Sequence, residues 1–229
     1  MGASQRTGRP TGLPSRRWRV GFCATDVASP AHRLREWEDS WLGDASPARR
    51  AEFAAGRWCA RTALGQLGGP VSAPLRNGRH GSPDWPPGFV GSITHTPRLT
   101  AAAVARRGWR DGVRGIGLDA EDAAPLPAGV LDVVASTGER EDLLRLARGR
   151  SEVLWDTVLF TVKEATYKAL YPLLGEVLAH DDVTASLSAD GRFRAVVRAP
   201  GSTGPGRSRE VRGRWVQGPR VVVSLGVVE

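Results

Sequence analysis

The stretch Asp156–Tyr171, reading D-T-V-L-F-T-V-K-E-A-T-Y-K-A-L-Y, limits what this chain can fold into more than any other. Val158, Leu159, Val162 and Leu170 recur near helical spacing with aromatics among them, so the segment reads as a helix with one buried side. Pro172 is expected to end it, because proline lacks the N–H that a further turn needs. The helix holds Lys163 and Lys168, the only two lysines of the chain; every other Lys/Arg position is an arginine. Lysine is a compact point charge and arginine a planar fork, so the two are not interchangeable at a phosphate or a proton-transfer site. Glu164 and Lys168 stand at i and i+4 and point from one face. Taken alone, that pair reads as readily as an exposed ion pair worth about 0.3 kcal/mol.

A length of 229 residues gives one large domain or two small ones, with ample chain to bury a core. A hydrophobic content of 41% and a charged content of 24% are those of a globular protein. No apolar run reaches membrane-spanning length and the basic N-terminus lacks an apolar signal core, so the expected location is the cytoplasm, with no membrane partner. Cys23 and Cys59 lack metal-ligand spacing and read as reduced thiols. The formal charge of +8 asks for a polyanionic partner: nucleic acid, a smaller phosphorylated ligand or an acidic protein. The arginines are spread along the chain, and no nucleic-acid-binding motif accompanies them.

Residues 1–17, rich in Gly, Pro, Ser, Thr and Arg, are expected to form a disordered basic tail. Two halves follow, 18–110 and 111–229. Residues 18–25 alternate as a strand, and 32–42 read as a helix with Leu34, Trp37 and Trp41 on a core face. Ser46–Leu67 is a strong helix, with Ser46 as N-cap, Pro47 at the first position and Gly68-Gly69-Pro70 closing it. Arg49, Arg57 and Arg61 form one stripe on it, expected by itself to be a solvated face. Glycines and prolines force a loop after Leu75, and its freed amides with Arg79 and His80 could cup a phosphate. Phe89–His95 reads as a strand that carries Ser92, Thr94 and His95, and Leu99–Ala105 is apolar and β-like.

In Arg114–Asp122, R-G-I-G-L-D-A-E-D, a strand turns Ile116, Leu118 and Ala120 to one face and Gly117, Asp119 and Glu121 to the other. Two carboxylates two residues apart on one face can share a divalent cation, and their hard oxygens suit Mg²⁺, with Mn²⁺ as the alternative. Beyond it come a short apolar segment at 130–134, a helix over 136–148, and the long helix. A hairpin about Asp190-Gly191, a Gly/Pro/Ser/Arg loop at 200–208 and two strands within 211–228 complete an α+β order.

G-S-I-T-H-T at 91–96, G-L-D-A-E at 117–121 and F-T-V-K-E-A-T-Y-K at 160–168 stand in one order. Together they resemble the 4′-phosphopantetheinyl transferase superfamily, which pairs a G-[IL]-D-x-E strand with a [FW]-x-x-K-E-x-x-x-K helix. The W-P-x-G-x-x-G-S-[IL]-T-H element resembles the branch that activates surfactin and enterobactin synthases. The wording K-E-A-T-Y-K and the helix R-R-x-E-F-x-x-x-R-x-C-A-R resemble actinobacterial members. The matched motifs span roughly residues 45–175 in register.

The resemblance implies a fold of two similar α+β halves related by a pseudo-twofold. Each would be a small, mainly antiparallel sheet packed on a long helix, with the ligand cleft between them, in a monomer. It implies transfer of 4′-phosphopantetheine from coenzyme A to a serine of an acidic acyl or peptidyl carrier protein, releasing 3′,5′-ADP. Asp119, Glu121 and Glu164 would hold Mg²⁺, Glu164 serving as third ligand or as base, and Lys168 would contact the diphosphate. Arg49 and Arg57 would hold the 3′-phosphate of coenzyme A, and Ser92, Thr94 and His95 would line the nucleotide pocket. Asp119 and Lys163 would join the same coenzyme site. Close relatives carry a lysine before the G-x-P-x-W-P element, where this chain has His80 beside Arg79. Either Arg79 takes over that phosphate contact, or coenzyme A affinity falls at high pH. The competing readings are a basic nucleic-acid-binding protein and another metal-dependent phosphotransferase.

Overall fold

Two antiparallel sheets, each backed by one long helix, carry the chain. The computed structural model describes residues 18–25, 32–78, 81–108, 112–175, 178–198 and 208–229. The N-terminal tail, Arg79, His80 and most of the 200–208 loop lie outside the described residues. The first sheet has the order β1-β3-β2, from β1 (Val20–Thr25), β2 (Phe89–Thr96) and β3 (Leu99–Arg106). The second has five strands, β4 (Gly115–Asp122), β5 (Val183–Leu187), β6 (Arg192–Arg198), β7 (Ser208–Gln217) and β8 (Val221–Val228), in the order β4-β8-β7-β6-β5. The sheets differ in strand number. The described helices are α1 (Glu36–Ser40), α2 (Pro47–Gly65), α3 (Val130–Val134), α4 (Thr137–Gly149) and α5 (Trp155–Leu174). No helix among the described residues is long and apolar enough to cross a membrane.

Strand alternation distributes the core. Ala101, Ala103 and Ala105 of β3 meet Ile116, Leu118 and Ala120 of β4 and Val223, Leu225 and Val227 of β8 in the interior between the sheets. Ala102 and Val104, on the other side of β3, pack with Cys59, Ala60 and Leu64 under α2. Val158, Leu159, Val162 and Leu170 of α5 cover the second sheet at Ala195, Val211 and Val222. Cys23 and Cys59 are buried free thiols. The expected N-cap holds: Ser46 Oγ accepts from the Arg49 N–H at 3.2 Å, with Pro47 in the first turn.

Three expectations change. Pro172 does not end the long helix, which runs to Leu174 and stops at Gly175, at φ +70°. Proline deletes only its own N–H, a loss the final turn tolerates, and the Gly175 N–H closes the helix on Tyr171 O at 2.9 Å. The 32–42 segment yields only the five-residue α1. Trp37 there is 44% exposed under the Arg35 guanidinium and Trp41 is half-buried, so the tryptophans are not core. The buried side chain is Glu38, which takes the Arg35 N–H at 3.0 Å and an ion pair from Arg61. The arginine stripe of α2 is therefore not a solvated face: only Arg49 is exposed, Arg57 is buried, and Arg61 is spent on Glu38.

The edge strands β2 and β4 lie side by side without a backbone ladder. Side chains bridge them instead: Ser92 Oγ donates to Leu118 O at 3.3 Å, and Thr94 Oγ1 accepts from the Ala120 N–H at 3.2 Å. On its other face β4 is approached closely by α5, because Gly117 has no side chain. A Cβ there would stand 1.8 Å from Ala165 O, and one at Gly21 of β1 would stand 2.1 Å from Ala63 O of α2. Gly117→Ala is expected to destabilise the protein by about 3 kcal/mol or more, since backbone rather than a movable side chain must give way. Urea unfolding of the variant measures it; a loss under about 1 kcal/mol would mean that α5 can lift from β4 freely.

Candidate active site

The close packing of α5 on β4 brings residues from distant segments together. Asp119 is only 3% exposed, and Lys168 Nζ donates to its Oδ1 at 2.5 Å. The Thr94 hydroxyl donates to the same oxygen at 3.3 Å. The other oxygen, Oδ2, is buried and has no hydrogen-bond partner among the described residues. Burial pushes the Asp119 carboxyl above the usual range, against the pull of Lys168. Glu121, next along the same strand face, is pushed up by burial and then by Asp119, with Glu164 adding to it. Glu164, one turn before Lys168, is raised by burial and by Asp119, while Lys168 and His180 draw it down. Three desolvated carboxyls that repel one another, with one ammonium among them, form a charge arrangement typical of working sites.

Among the described residues no three His, Cys, Asp or Glu side chains close into a metal-holding group. The donor chemistry nonetheless fits a hard divalent cation. All three groups offer oxygen, one buried Asp119 oxygen lacks any donor, and their mutual repulsion is what such a cation relieves.

A cleft of about 160 Å³ opens beside Lys168, walled by Ser82 and Pro83, by Gly91, Ser92 and Ile93 of β2, and by Tyr167 and Tyr171. A wider hollow of about 540 Å³ shares Ser82, Pro83 and Tyr171 with it. Gly91 lets the Trp85 ring lie flat on β2, since a Cβ there would stand 2.5 Å from the indole. At the mouth of α2, Arg49 contacts His95 Nε2 at 3.4 Å and Glu52 at 3.3 Å. Arg57 is turned elsewhere: its guanidinium donates to Leu75 O at 2.8 Å and to Asn77 Oδ1 at 2.6 Å, anchoring the base of the loop that carries Ser82. Burial lowers its pKa to about 10. Ser92 and Thr94 are buried in the β2–β4 seam, and only Thr94 reaches the acids. Lys163 lies away from the cleft, 2% exposed, on Glu139 at 2.9 Å and on the carbonyls of Val134 and His180. Tyr171 and His180 carry no motif signal, and Tyr167 stands inside K-E-A-T-Y-K without a role read for it. Glu164, Tyr167, Lys168 and Tyr171, spaced by three, one and three, do form one polar stripe on an otherwise apolar helix.

The raised carboxyls cost stability at neutral pH. Because the folded pKa of Glu164 lies above its unfolded value, the native state binds more protons between the two, and stability falls as pH rises through that window. Glu164→Gln is expected to raise the melting temperature near neutral pH by about 2–4 °C. The gain should vanish below the ordinary carboxylate range, where the wild-type group is already neutral. Thermal melts across pH test this; a lower melting temperature at neutral pH would show that the carboxylate is favourably paired.

Two family models match the chain. The 4′-phosphopantetheinyl transferase N-terminal domain covers residues 37–105, and the 4′-phosphopantetheinyl transferase superfamily covers residues 115–216. The chain is 43% identical over 216 residues to the 4′-phosphopantetheinyl transferase Svp of Streptomyces mobaraensis, an alignment covering 93% of this chain and 85% of that protein. It is 44% identical over 174 residues to PptT of Mycobacterium tuberculosis, covering 73% of this chain and 74% of that one. With Npt of Nocardia iowensis the identity is 38% over 189 residues, covering 78% and 82%. With both halves matched by family models and relatives this similar along most of its length, the chain belongs to the 4′-phosphopantetheinyl transferase superfamily.

Proposed function

We infer that this protein transfers the 4′-phosphopantetheine arm of coenzyme A to a serine hydroxyl of an apo acyl or peptidyl carrier protein. A bond forms between the serine oxygen and the phosphorus nearer the pantetheine, the diphosphate P–O bond breaks, and 3′,5′-ADP leaves. The observation that carries the reading is the buried Asp119 on the Lys168 ammonium, with the half-buried Glu121 and Glu164 acting electrostatically on the same group, at the positions of the family motifs.

Asp119, Glu121 and Glu164 would hold Mg²⁺, or Mn²⁺ in its place. When bound, the ion neutralises the charge of the diphosphate. Lys168 presents its ammonium to the diphosphate, at the oxygens that leave with 3′,5′-ADP, exchanging its Asp119 contact for theirs. Glu164, held above the usual carboxylate range by burial and Asp119, suits proton uptake from the serine when it is not a ligand. Arg49 and His95 stand together, and the 3′-phosphate of coenzyme A would sit against them, with Arg79 and His80 joining from the loop between Leu75 and Phe89. Ser92 lines the cleft itself, while Arg57 and Thr94 support its walls through internal hydrogen bonds. A surface of net charge +8 attracts acidic carriers and raises their encounter rate.

Coenzyme A, Mg²⁺ and a panel of apo carrier proteins, followed by mass measurement of the carriers, test the reading. One carrier gaining a phosphopantetheine mass is expected; no modified carrier would refute it. Asp119→Ala should abolish the gain. Lys168→Arg should lower kcat by about 10²-fold, since a fork cannot replace a point charge beside Asp119. Carrier KM should rise with ionic strength, and a KM flat across salt would remove the electrostatic argument.

A further inference from the structure

We propose that the buried Lys163–Glu139 pair is a positioning device that fixes the rotation of α5 about its axis and so aims Glu164 at Asp119. This rests on the transferase reading above. The ammonium of Lys163, 2% exposed, donates to Val134 O at 2.6 Å, Glu139 Oε2 at 2.9 Å and His180 O at 3.1 Å. A lysine has three N–H groups, and here each has an acceptor. Glu139, 4% exposed, also takes the Ser136 N–H at 2.9 Å and the Ala185 N–H at 2.8 Å. One side chain of α5 thus ties that helix to the end of α3, the start of α4, the turn at His180 and β5.

Consecutive helical residues point about 100° apart, so anchoring Lys163 in a rigid cage sets the direction of Glu164. The cage also holds the turn whose His180 acts electrostatically on Glu164. On the sheet side of α5 the Gly117 contact sets distance, and the Lys168–Asp119 pair and the Thr161–Ser224 hydroxyl bond at 2.7 Å hold the helix to β4 and β8. Of these anchors only the Lys163 cage ties it to α3, α4 and the His180 turn. Stability alone does not account for the pair, because replacing a buried ion pair by apolar residues of similar size is often neutral or stabilising. Nor would the arginine this chain uses elsewhere serve, since a planar fork does not match three acceptors converging on one nitrogen. Displacing a reacting group by about 1 Å can cost on the order of 10²-fold in rate.

The test separates position from stability. Lys163→Met alone strands a buried carboxylate and should lower the melting temperature. The double variant Lys163→Met with Glu139→Gln removes both charges and keeps an amide oxygen for the Ala185 N–H, so it should recover most of that loss, to within about 3 °C. Its kcat should stay lower by on the order of 10²-fold, with the KM for coenzyme A within about threefold of wild type. A kcat that returns with the melting temperature would overturn the proposal. If the double variant does not fold, Glu139→Gln alone keeps the volume and weakens the cage; its kcat should fall at least about tenfold, and an unchanged kcat would be as decisive. If the wild-type protein modifies no carrier, the transferase reading fails by itself. Hydrogen exchange then decides this proposal: faster exchange of the α5 amides around Glu164 in the folded double variant supports it, and unchanged exchange overturns it.

Discussion

The carbonyl of Ala165 occupies the space where any side chain at position 117 would stand. The meeting of the acids with Lys168 follows from that contact. With no Cβ between them, α5 lies against the backbone of β4, and the polar residues of each fall within reach of the other's. Asp119 and Glu121 alternate with Gly117 along the strand, and Glu164 and Lys168 bracket Ala165 on the helix. A glycine one step away in the strand would have offset the two sets, and the acids would face packed backbone instead of one another.

Proximity of this kind opposes folding before it serves catalysis. Three carboxyls are pushed above their ordinary range by burial and by one another, and a single ammonium offsets part of that. The second sheet and α5 supply the compensation through an apolar core that runs from Trp155 to Val228. The chain sets its two lysines at two different tasks a turn and a half apart. Lys168 keeps 30% of its side-chain surface open to the cleft, and Lys163 keeps almost none. A dense charge cluster held by an apolar frame is the usual compromise between stability and activity.

The residues differ in how much of this they disclosed in advance. The helices at 47–65 and 155–174 and the strand of acids were legible because period, cap and motif all agreed over long stretches. The end of α5 is not legible in the sequence, because Pro172 announces a stop that the last turn can absorb and Gly175 supplies. Trp37 and Trp41 looked like core by size, and the position that mattered was Glu38, an acid no hydropathy pattern would bury. Glu139 escaped for the same reason. Each closes a capping box on a short helix and accepts a base from the neighbouring long one, Arg61 in one case and Lys163 in the other. Arg57 and Lys163 match family positions, but only the packed fold shows that a side chain at a motif position turns inward to hold carbonyls.

The seam between β2 and β4 has a further consequence. An unpaired strand edge invites pairing with another chain, and these two edges spend their capacity on each other through Ser92 and Thr94. The outer edges left are β1 and β5. β5 is five residues long and follows directly from the turn that Lys163 anchors. Joining two sheets by hydroxyls rather than a continuous ladder therefore guards both inner edges against intermolecular strand exchange.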